Sequence, residues 1–375
     1  MKKIIYGMGR VLVLLITFSL LLVSCKKMDS ESSESMPATN ENEVVSEARS
    51  LNQTVPASVQ KEADELGFSN DANRNSSRTI VEIALSNSNF TALVAAVVKT
   101  GLAGALSDPA ANLTVFAPPN NAFSQLPAPF NNAQNIEGIS DPSQVDFLRN
   151  VLLYHVLGAE VFSSQVAQGR SSAATIKPAG SANDNTIYFS KTIGVIRVNG
   201  RSTVIFPNIN ASNGVIHVVN SVLLYPTANI AEIAIGNPDF SALVAALVKT
   251  DLAGVFTGPG DFTVFAPTNA AFAKLPAPFN NAANISGISS ASDIAYLANI
   301  LKYHVTGSRY FNWDFGILSK ITTLAAAPSN KLTTVFGYNT GWVKGRGNNN
   351  FLQTNPGDIL ANNGVVQVVG TVLLP

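Results

Sequence analysis

The feature that most constrains the fold of this chain is an internal repeat. LTVFAPPNNAFSQLPAPFNN at residues 113–132 returns as FTVFAPTNAAFAKLPAPFNN at residues 262–281. The period of about 150 residues is too long for one unit of a solenoid and fits one domain. The repeat therefore predicts two tandem domains, residues 77–226 and 227–375. Because they meet without a linker, we expect them to hold a fixed arrangement.

Within each copy, helical patterns come first and strand patterns come last. Each copy is predicted to start with a short helix, formed by TIVEIAL at residues 79–85 and by NIAEIAI at residues 229–235. Residues 113–117 and 262–266 alternate as a strand and end at a proline. Residues 187–206 alternate with a period of two around an Asn-Gly turn. We expect an α+β fold in which each domain is a β-sandwich or wedge with helices packed at one edge.

The first 24 residues are typical of an export signal. A positively charged start is followed by an apolar run that is short for a membrane span. This run ends in Leu-Val-Ser-Cys, and Cys25 is the single cysteine of the chain. The ending resembles the lipobox of bacterial lipoproteins, which implies a lipid on Cys25 and removal of residues 1–24. The mature chain would then have no free thiol, which excludes disulfides and cysteine-based catalysis or metal binding.

Residues 25–76 are rich in Ser, Glu and Asn and poor in aromatic side chains. This composition predicts a flexible stalk that carries the lipidated Cys25, with residues 44–51 and 59–68 as transient helices within it. The residue after the cysteine is Lys26, where an Asp would favour retention in the inner membrane of enteric-type bacteria. We therefore expect an outer-membrane lipoprotein that faces the periplasm or the cell surface.

The charge composition of the chain indicates which classes of partner it can bind. The formal net charge is zero and only 13% of the residues are charged. A chain with this balance lacks the basic surface that nucleic acid requires, so we expect no nucleic-acid partner.

Three motifs recur in the same order in both copies, and together they resemble the fasciclin domain family. The first is the TVFAP segment, the second is a Tyr-His pair after a helix, and the third is NGV followed by an apolar strand, at residues 213–224 and 363–374. The resemblance covers residues 77–375. It implies a β-wedge with helices and a role in adhesion to cells or matrix, and it implies no catalytic activity. Copy one departs from the first motif at Pro119, and copy two departs from the last motif at Gln367.

The recurring histidines are the natural candidates for chemistry. They stand in the pairs Tyr154-His155 and Tyr303-His304, at the end of an apolar helix stripe. This position favours a histidine that is hydrogen-bonded to backbone, while the family resemblance implies that the pairs contribute either to adhesion or to fold integrity. His217 is replaced by Gln367 in the other copy, which argues against a shared general base and favours a structural role.

A second candidate for partner binding precedes the last strand. Asp358, Ile359 and Leu360 match the core of the integrin-contact motif that animal fasciclin domains carry at this place. An exposed acid beside two aliphatic residues suits docking. The alternative is that Ile359 and Leu360 begin the strand and fill the core.

The TVFAP segment and the residues that follow it are interpreted as having a structural role in both copies. Asn120 and Asn269 are placed to cap a short helix, and Phe123 and Phe272 are placed to anchor it. The sequence has no HExxH, CxxC, GxSxG, P-loop or EF-hand motif, so we expect no metal, no cofactor and no enzyme.

The sequence thus favours an adhesion module whose partner is an unknown protein or glycan on cells or matrix, with the membrane reached through the N-terminal lipid. The alternative is a lipoprotein that binds a carbohydrate or another small ligand. Carbohydrate binding requires exposed aromatic side chains, and the candidates for these are Trp313, Tyr338 and Trp342.

Overall fold

The computed structural model describes residues 40–68, 77–181, 183–337 and 340–375. The predictions about the signal sequence, Cys25 and Tyr338 therefore lie outside the described residues.

The first repeat forms an α+β domain with its helices before most of its strands, as predicted. The opening helix begins after Thr79, whose hydroxyl accepts a hydrogen bond from the backbone N–H of Glu82 while the Glu82 carboxylate accepts from the N–H of Thr79. The helices are α2 (Ile80–Leu85), α3 (Thr91–Lys99), α4 (Ala103–Leu106), α5 (Asn120–Phe123), α6 (Ala133–Glu137) and α7 (Pro142–Tyr154). The strands are β1 (Leu113–Ala117), β2 (Val156–Leu157), β3 (Gly169–Ala174), β4 (Thr186–Thr192), β5 (Val195–Val198), β6 (Ser202–Ala211) and β7 (Gly214–Val219).

These seven strands form a single sheet in the order β2-β1-β7-β6-β5-β4-β3. β1 and β7 are parallel, and the other neighbours are antiparallel. The long strand β6 continues through two register shifts and joins both halves of the sheet. The predicted Asn-Gly turn is present between β5 and β6, where Asn199 and Gly200 both have positive φ.

The second repeat has the same order of elements. Its helices are α8 (Ile230–Gly236), α9 (Ser241–Lys249), α10 (Asn269–Phe272), α11 (Ala282–Ser286) and α12 (Ala291–Tyr303), with 3₁₀ turns at Pro238–Phe240, Ala253–Phe256 and Asn312–Asp314. Its strands are β8 (Phe262–Pro267), β9 (Val305–Thr306), β10 (Ser319–Thr322), β11 (Lys331–Val335), β12 (Trp342–Lys344), β13 (Leu352–Gln353), β14 (Ile359–Ala361) and β15 (Gly364–Val369).

In this domain the counterpart of β6 is broken into β13 and β14. Pro356 lies in the break, and proline has no N–H to give to a ladder. The strands consequently form two four-stranded sheets, β10-β11-β12-β13 and β14-β15-β8-β9, which the bridge between Thr354 and Val369 connects. The parallel pair of the first domain is retained as β8 and β15.

The segment before the first repeat corrects a prediction. Residues 41–65 are not a flexible stalk: they form helix α1 (Glu41–Glu65), capped by Asn40. One side of the helix is buried, at Val44, Ala48, Val55 and Ala63. These positions repeat at helical spacing, a pattern that the polar average composition of the segment hides.

Helix α1 lies against both domains. Val44, Ala48 and Val55 belong to an apolar cluster that includes Val195 of the first domain and Trp342 of the second. The chain after the helix packs Phe68 onto the rings of Phe90 and Phe206, at centroid distances of 5.6 and 5.7 Å. The helix is therefore a strap across the two domains.

Within the described part of the chain, no single helix has the length and hydropathy to cross a membrane; one pair bent by 104°, Ile230–Gly236 with Pro238–Lys249, could do so by length and composition alone.

Candidate functional site

The two Tyr-His pairs occupy matching interior positions. Each histidine follows the last residue of a helix, α7 or α12, and is almost completely buried. Nδ1 of His155 is 2.7 Å from the carbonyl oxygen of Val151, and its Nε2 accepts from the backbone N–H of Leu223. His304 repeats this arrangement with Ile300 and Leu373.

This pattern fixes both histidines as neutral rings with the proton on Nδ1, because Nε2 is an acceptor. Burial lowers the pKa of His155 and of His304 to about 4, although the hydrogen bond to the helix carbonyl acts in the opposite direction. A ring with both nitrogens engaged and no access to solvent is unsuited to proton transfer with a substrate.

The tyrosines are equally internal. The hydroxyl of Tyr154 donates to the carbonyl of Thr186 at 2.7 Å, and that of Tyr303 donates to the carbonyl of Lys331 at 2.7 Å. Each pair therefore ties a helix end to the strand β4 or β11. This geometry supports the fold-integrity interpretation, since neither pair presents a side chain to a partner.

His217 and Gln367 show how two different residues perform one task. Nδ1 of His217 accepts from the N–H of Asn208, and its Nε2 lies 2.8 Å from the carbonyl oxygen of Val161. In the second domain, Oε1 of Gln367 accepts from the N–H of Asp358, and its Nε2 donates to the carbonyl of Tyr310. One acceptor and one donor are all that the position requires.

Asp358 is buried, whereas the docking alternative required an exposed acid. Asp358 is only 4% exposed and has a positive φ of 56°. Its carboxylate accepts from the N–H of Asn312 at 2.8 Å and from Nε2 of Gln367 at 2.7 Å. Ile359 and Leu360, both half-buried, begin strand β14, as the core interpretation expected.

The first domain has an amide where the second has this acid. Asn208 also has a positive φ, and its Oδ1 accepts from the N–H of Ser163 just as Asp358 accepts from that of Asn312. The local fold therefore needs only an oxygen acceptor, and the negative charge of Asp358 is extra. The charge faces Arg197 and Arg201, which oppose the rise in the pKa of Asp358 that burial causes.

Both arginines belong to the first domain, so Asp358 lies in the contact between the domains. Arg201 donates from Nη2 to the carbonyl of Gly357 at 2.9 Å. Gly200 has no room for a side chain, because a Cβ there would come within 2.7 Å of the carboxyl carbon of Asp358 and 2.5 Å of the ring of Phe311.

Arginine–aromatic stacking extends the same contact. The guanidinium of Arg170 lies 4.0 Å from the ring centroid of Tyr310, and that of Arg309 lies 4.2 Å from the ring of Tyr188. Arg170 also donates to the carbonyl of Arg309 at 2.7 Å. These contacts join the two domains directly.

A second acid of the contact is Asp314, whose carboxylate accepts from the N–H of Phe311. Burial raises the pKa of Asp314 to about 6, although Ser190 and Arg170 of the first domain favour its charged form. Gln165 makes the equivalent bond to Phe162 in the first domain. Asp314 and Asp358 are therefore acids only in the second domain, where they face the first domain, and their counterparts Gln165 and Asn208 are neutral.

The recurring asparagines have a different task from the predicted one. The residue that caps α10 is Thr268, whose hydroxyl accepts from the N–H of Ala271, and Pro119 at the matching place makes no side-chain cap. Oδ1 of Asn269 instead accepts from the N–H of Ala242, at the start of α9, and its Nδ2 donates to the carbonyl of Pro238. Asn120 does the same for α3 of the first domain. Phe123 and Phe272 are buried anchors, as predicted.

The aromatic residues proposed for carbohydrate binding are also internal. Trp313 and Trp342 are each 3% exposed, so neither offers a face for sugar stacking. Among the described residues, no group of three or more His, Cys, Asp or Glu side chains could hold a metal ion.

The arginines of the domain contact are the residues that the sequence comparison missed. Arg170, Arg197 and Arg309 have no arginine at the matching place in the other copy, so the pattern of recurring residues does not reveal them, whereas Arg201 recurs as Arg346. The available signal was the opposite one: charged side chains that break the repeat in a chain with few charges.

A model of the fasciclin domain family matches residues 88–226 and again residues 238–375. Protein sll1483 of Synechocystis sp. is 36% identical over 173 residues, which are 46% of this chain and 88% of that protein. Human periostin is 28% identical over 270 residues, which are 70% of this chain and 28% of periostin. Pig transforming growth factor-beta-induced protein ig-h3 is 26% identical over 269 residues, which are 70% of this chain and 35% of that protein. This chain thus spans well under half of the two animal proteins.

Among solved structures, a FAS1 domain pair from the insect cell adhesion molecule fasciclin I is similar over 79% of this chain and 96% of its own, with 14% identity and a TM-score of 0.35.

Proposed function

The chain belongs to the fasciclin domain family, and from that premise we propose that it is an exported, lipid-anchored interaction module that mediates contacts at the cell surface or with matrix. The observation that carries the proposal is the direct contact between the two fasciclin domains, made by the hydrogen bond from Arg201 to the carbonyl of Gly357 and by arginine–aromatic stacking at Tyr310 and Tyr188. Two domains joined in this way offer a combined surface to a partner.

The internal chemistry supports a binding role over a catalytic one. The recurring histidines and tyrosines direct their polar atoms to backbone groups of their own domain. An enzyme needs at least one such group in contact with substrate. The partner class that we propose is a protein or glycan on cells or matrix.

Membrane attachment is proposed through a lipid on Cys25, at the outer membrane. The test is Cys25→Ser in the full-length chain, with Ser30→Ala as a matched control in the same segment. We expect Cys25→Ser to move the protein from the membrane pellet to the soluble fraction, while Ser30→Ala stays in the pellet. Retention of Cys25→Ser in the pellet would contradict the lipid anchor.

The adhesion role needs a separate test. Beads coated with the purified full-length chain should bind to cells or to a protein matrix more than beads coated with an unrelated lipoprotein do. Equal binding by the two kinds of bead would contradict the proposed function without affecting the anchor.

A further inference from the structure

The second domain carries an exposed basic face on strands β10, β11 and β12. Lys320 stands opposite Thr333, and Thr333 stands opposite Lys344, so the three side chains form one row on one side of the sheet. Thr322 and Lys331 form the next row on the same side, since each lies two residues along its strand from a member of the first row. The ammonium groups of Lys320 and Lys331 donate to the hydroxyls of Thr333 and Thr322 across the strands.

We call Lys320, Lys331, Lys344 and the neighbouring Arg346 the lysine face. Three of the four are exposed and Lys344 is half-buried. Residues 315–375 contain only one acid, Asp358, and it is buried in the domain contact. Among the described residues, no carboxylate forms an ion pair with any member of the lysine face. The face therefore presents a positive potential in a protein that has few charges.

The first domain shows what this part of the fold does. Tyr154 bonds to the carbonyl of Thr186 as Tyr303 bonds to that of Lys331, which aligns β4 with β11. The row Ser172–Tyr188 in the first domain then matches Lys320–Thr333 in the second. The Tyr188 surface is the one on which the second domain docks, through Arg309 and Phe311.

The Tyr188 surface of the first domain and the lysine face of the second differ in aromatic content and in positive charge. On the docked face, Arg170 stacks on Tyr310 of the second domain, and Tyr188 contacts Phe311 and the guanidinium of Arg309, which is the chemistry of a protein–protein contact. On the lysine face the aromatic ring is replaced by a hydroxyl and three neutral side chains are replaced by ammonium groups. The replacements are Tyr188 by Thr333, Ser172 by Lys320, Thr186 by Lys331 and Asn199 by Lys344.

From this comparison we propose that the lysine face binds an anionic polysaccharide, one that bears carboxylate or sulfate groups. Lysine is a hydrated, mobile point charge, and neither row of the face contains an aromatic anchor. The backbone positions of Lys320 and Lys344 are about 10 Å apart, with Thr333 between them, because neighbouring strands are about 5 Å apart. This spacing suits a flexible chain with repeated anions and hydroxyl groups better than it suits a packed protein surface.

The inference rests on the proposed function and names the partner of this module. Its test uses the full-length chain in detergent, with immobilised heparin as a sulfated polysaccharide, polygalacturonate as a carboxylated one and dextran as a neutral one. The variant carries Gln at Lys320, Lys331, Lys344 and Arg346. The matched control carries Gln at Lys61, Lys99, Lys274 and Lys302, which removes the same charge from elsewhere on the molecule.

We expect the wild type to bind at least one anionic polysaccharide and not dextran, with affinity that falls as salt rises. The lysine-face variant should lose about tenfold or more in affinity and the control less than about twofold, since exposed charges act mainly at short range in salt. Equal loss in both variants, or full binding by the lysine-face variant, would overturn the inference.

Two further arms separate other occupants. Vesicles of phosphatidylglycerol, and an acidic protein such as ovalbumin, are tested with the same variants. Lysine-face-dependent binding to either of these, without binding to a polysaccharide, would overturn the inference and name a different partner. Wild-type beads that adhere to cells but bind no polysaccharide would overturn only this inference, whereas beads that bind polysaccharide but do not adhere would count against the proposed function.

Discussion

The buried histidines predict a specific acid sensitivity. His155 and His304 have a folded-state pKa of about 4, below the ordinary value of 6.5. The unfolded chain therefore binds a proton more readily than the folded one. The stability that each neutral ring contributes is fully present above pH 6.5 and is lost as the pH falls towards 4.

The size of the effect follows from the two pKa values. At pH 5 the unfolded histidine is almost fully protonated and the folded one is almost fully neutral. The difference lowers the free energy of unfolding by about 2 kcal/mol per histidine relative to pH 7.5. Asp314, whose pKa is raised to about 6, changes in the opposite sense, because its contribution to stability is present at low pH and is lost as the pH rises through 6.

The perturbation that isolates the histidine is His304→Gln. Glutamine can donate to the carbonyl of Ile300 and accept from the N–H of Leu373, as Gln367 donates and accepts where the first domain has His217. The assay is urea unfolding of the full-length wild type and variant at pH 7.5 and at pH 5. Subtracting the variant from the wild type removes the contribution of Asp314, because both proteins contain it.

We expect the wild type to lose about 2 kcal/mol more than His304→Gln between pH 7.5 and pH 5. His155→Gln should behave in the same way, since the two histidines have the same partners. A difference between wild type and variant that is the same at both pH values would refute the reasoning, whatever the absolute cost of the substitution.

Three other substitutions test the structural roles. Asn269→Ala should lower the free energy of unfolding by about 1 to 3 kcal/mol, because it leaves the start of α9 without its acceptor. Thr268→Ala removes only the hydroxyl that caps α10 and should cost about 1 kcal/mol or less. Equal costs would contradict the assignment. Gly200→Ala should loosen the domain contact and raise the radius of gyration measured by small-angle X-ray scattering, whereas Gly194→Ala, which also has positive φ but open space around it, should lower thermal stability slightly and leave the radius unchanged. Ala48→Asp should release α1 and make it sensitive to limited proteolysis, since the charge would be buried at a fully buried position; unchanged protection would contradict the strap.

Several parts of the fold could be predicted from sequence because they depend on local patterns. The duplication, the order of helices and strands, and the Asn-Gly turn at Asn199 and Gly200 follow from periodicity and from residues with special backbone preferences. The interior place of His155 and His304 was also indicated, since both continue an apolar helix stripe. Before the first repeat the sequence indicated only transient helices, and the stable helix α1 depends on the packing of Val44, Ala48 and Val55 against both domains.

What tertiary structure alone decided is the role of each polar group, because that role depends on what lies across a contact between distant parts of the chain. Asp358 has the sequence context of an exposed docking acid, and only the position of Arg197 and Arg201 shows that it faces another domain. Asn269 has the look of a helix cap, but the helix that it serves begins at Ser241. Local propensity fixes which elements form, and the burial of charge and hydrogen-bonding groups between elements fixes what those groups do.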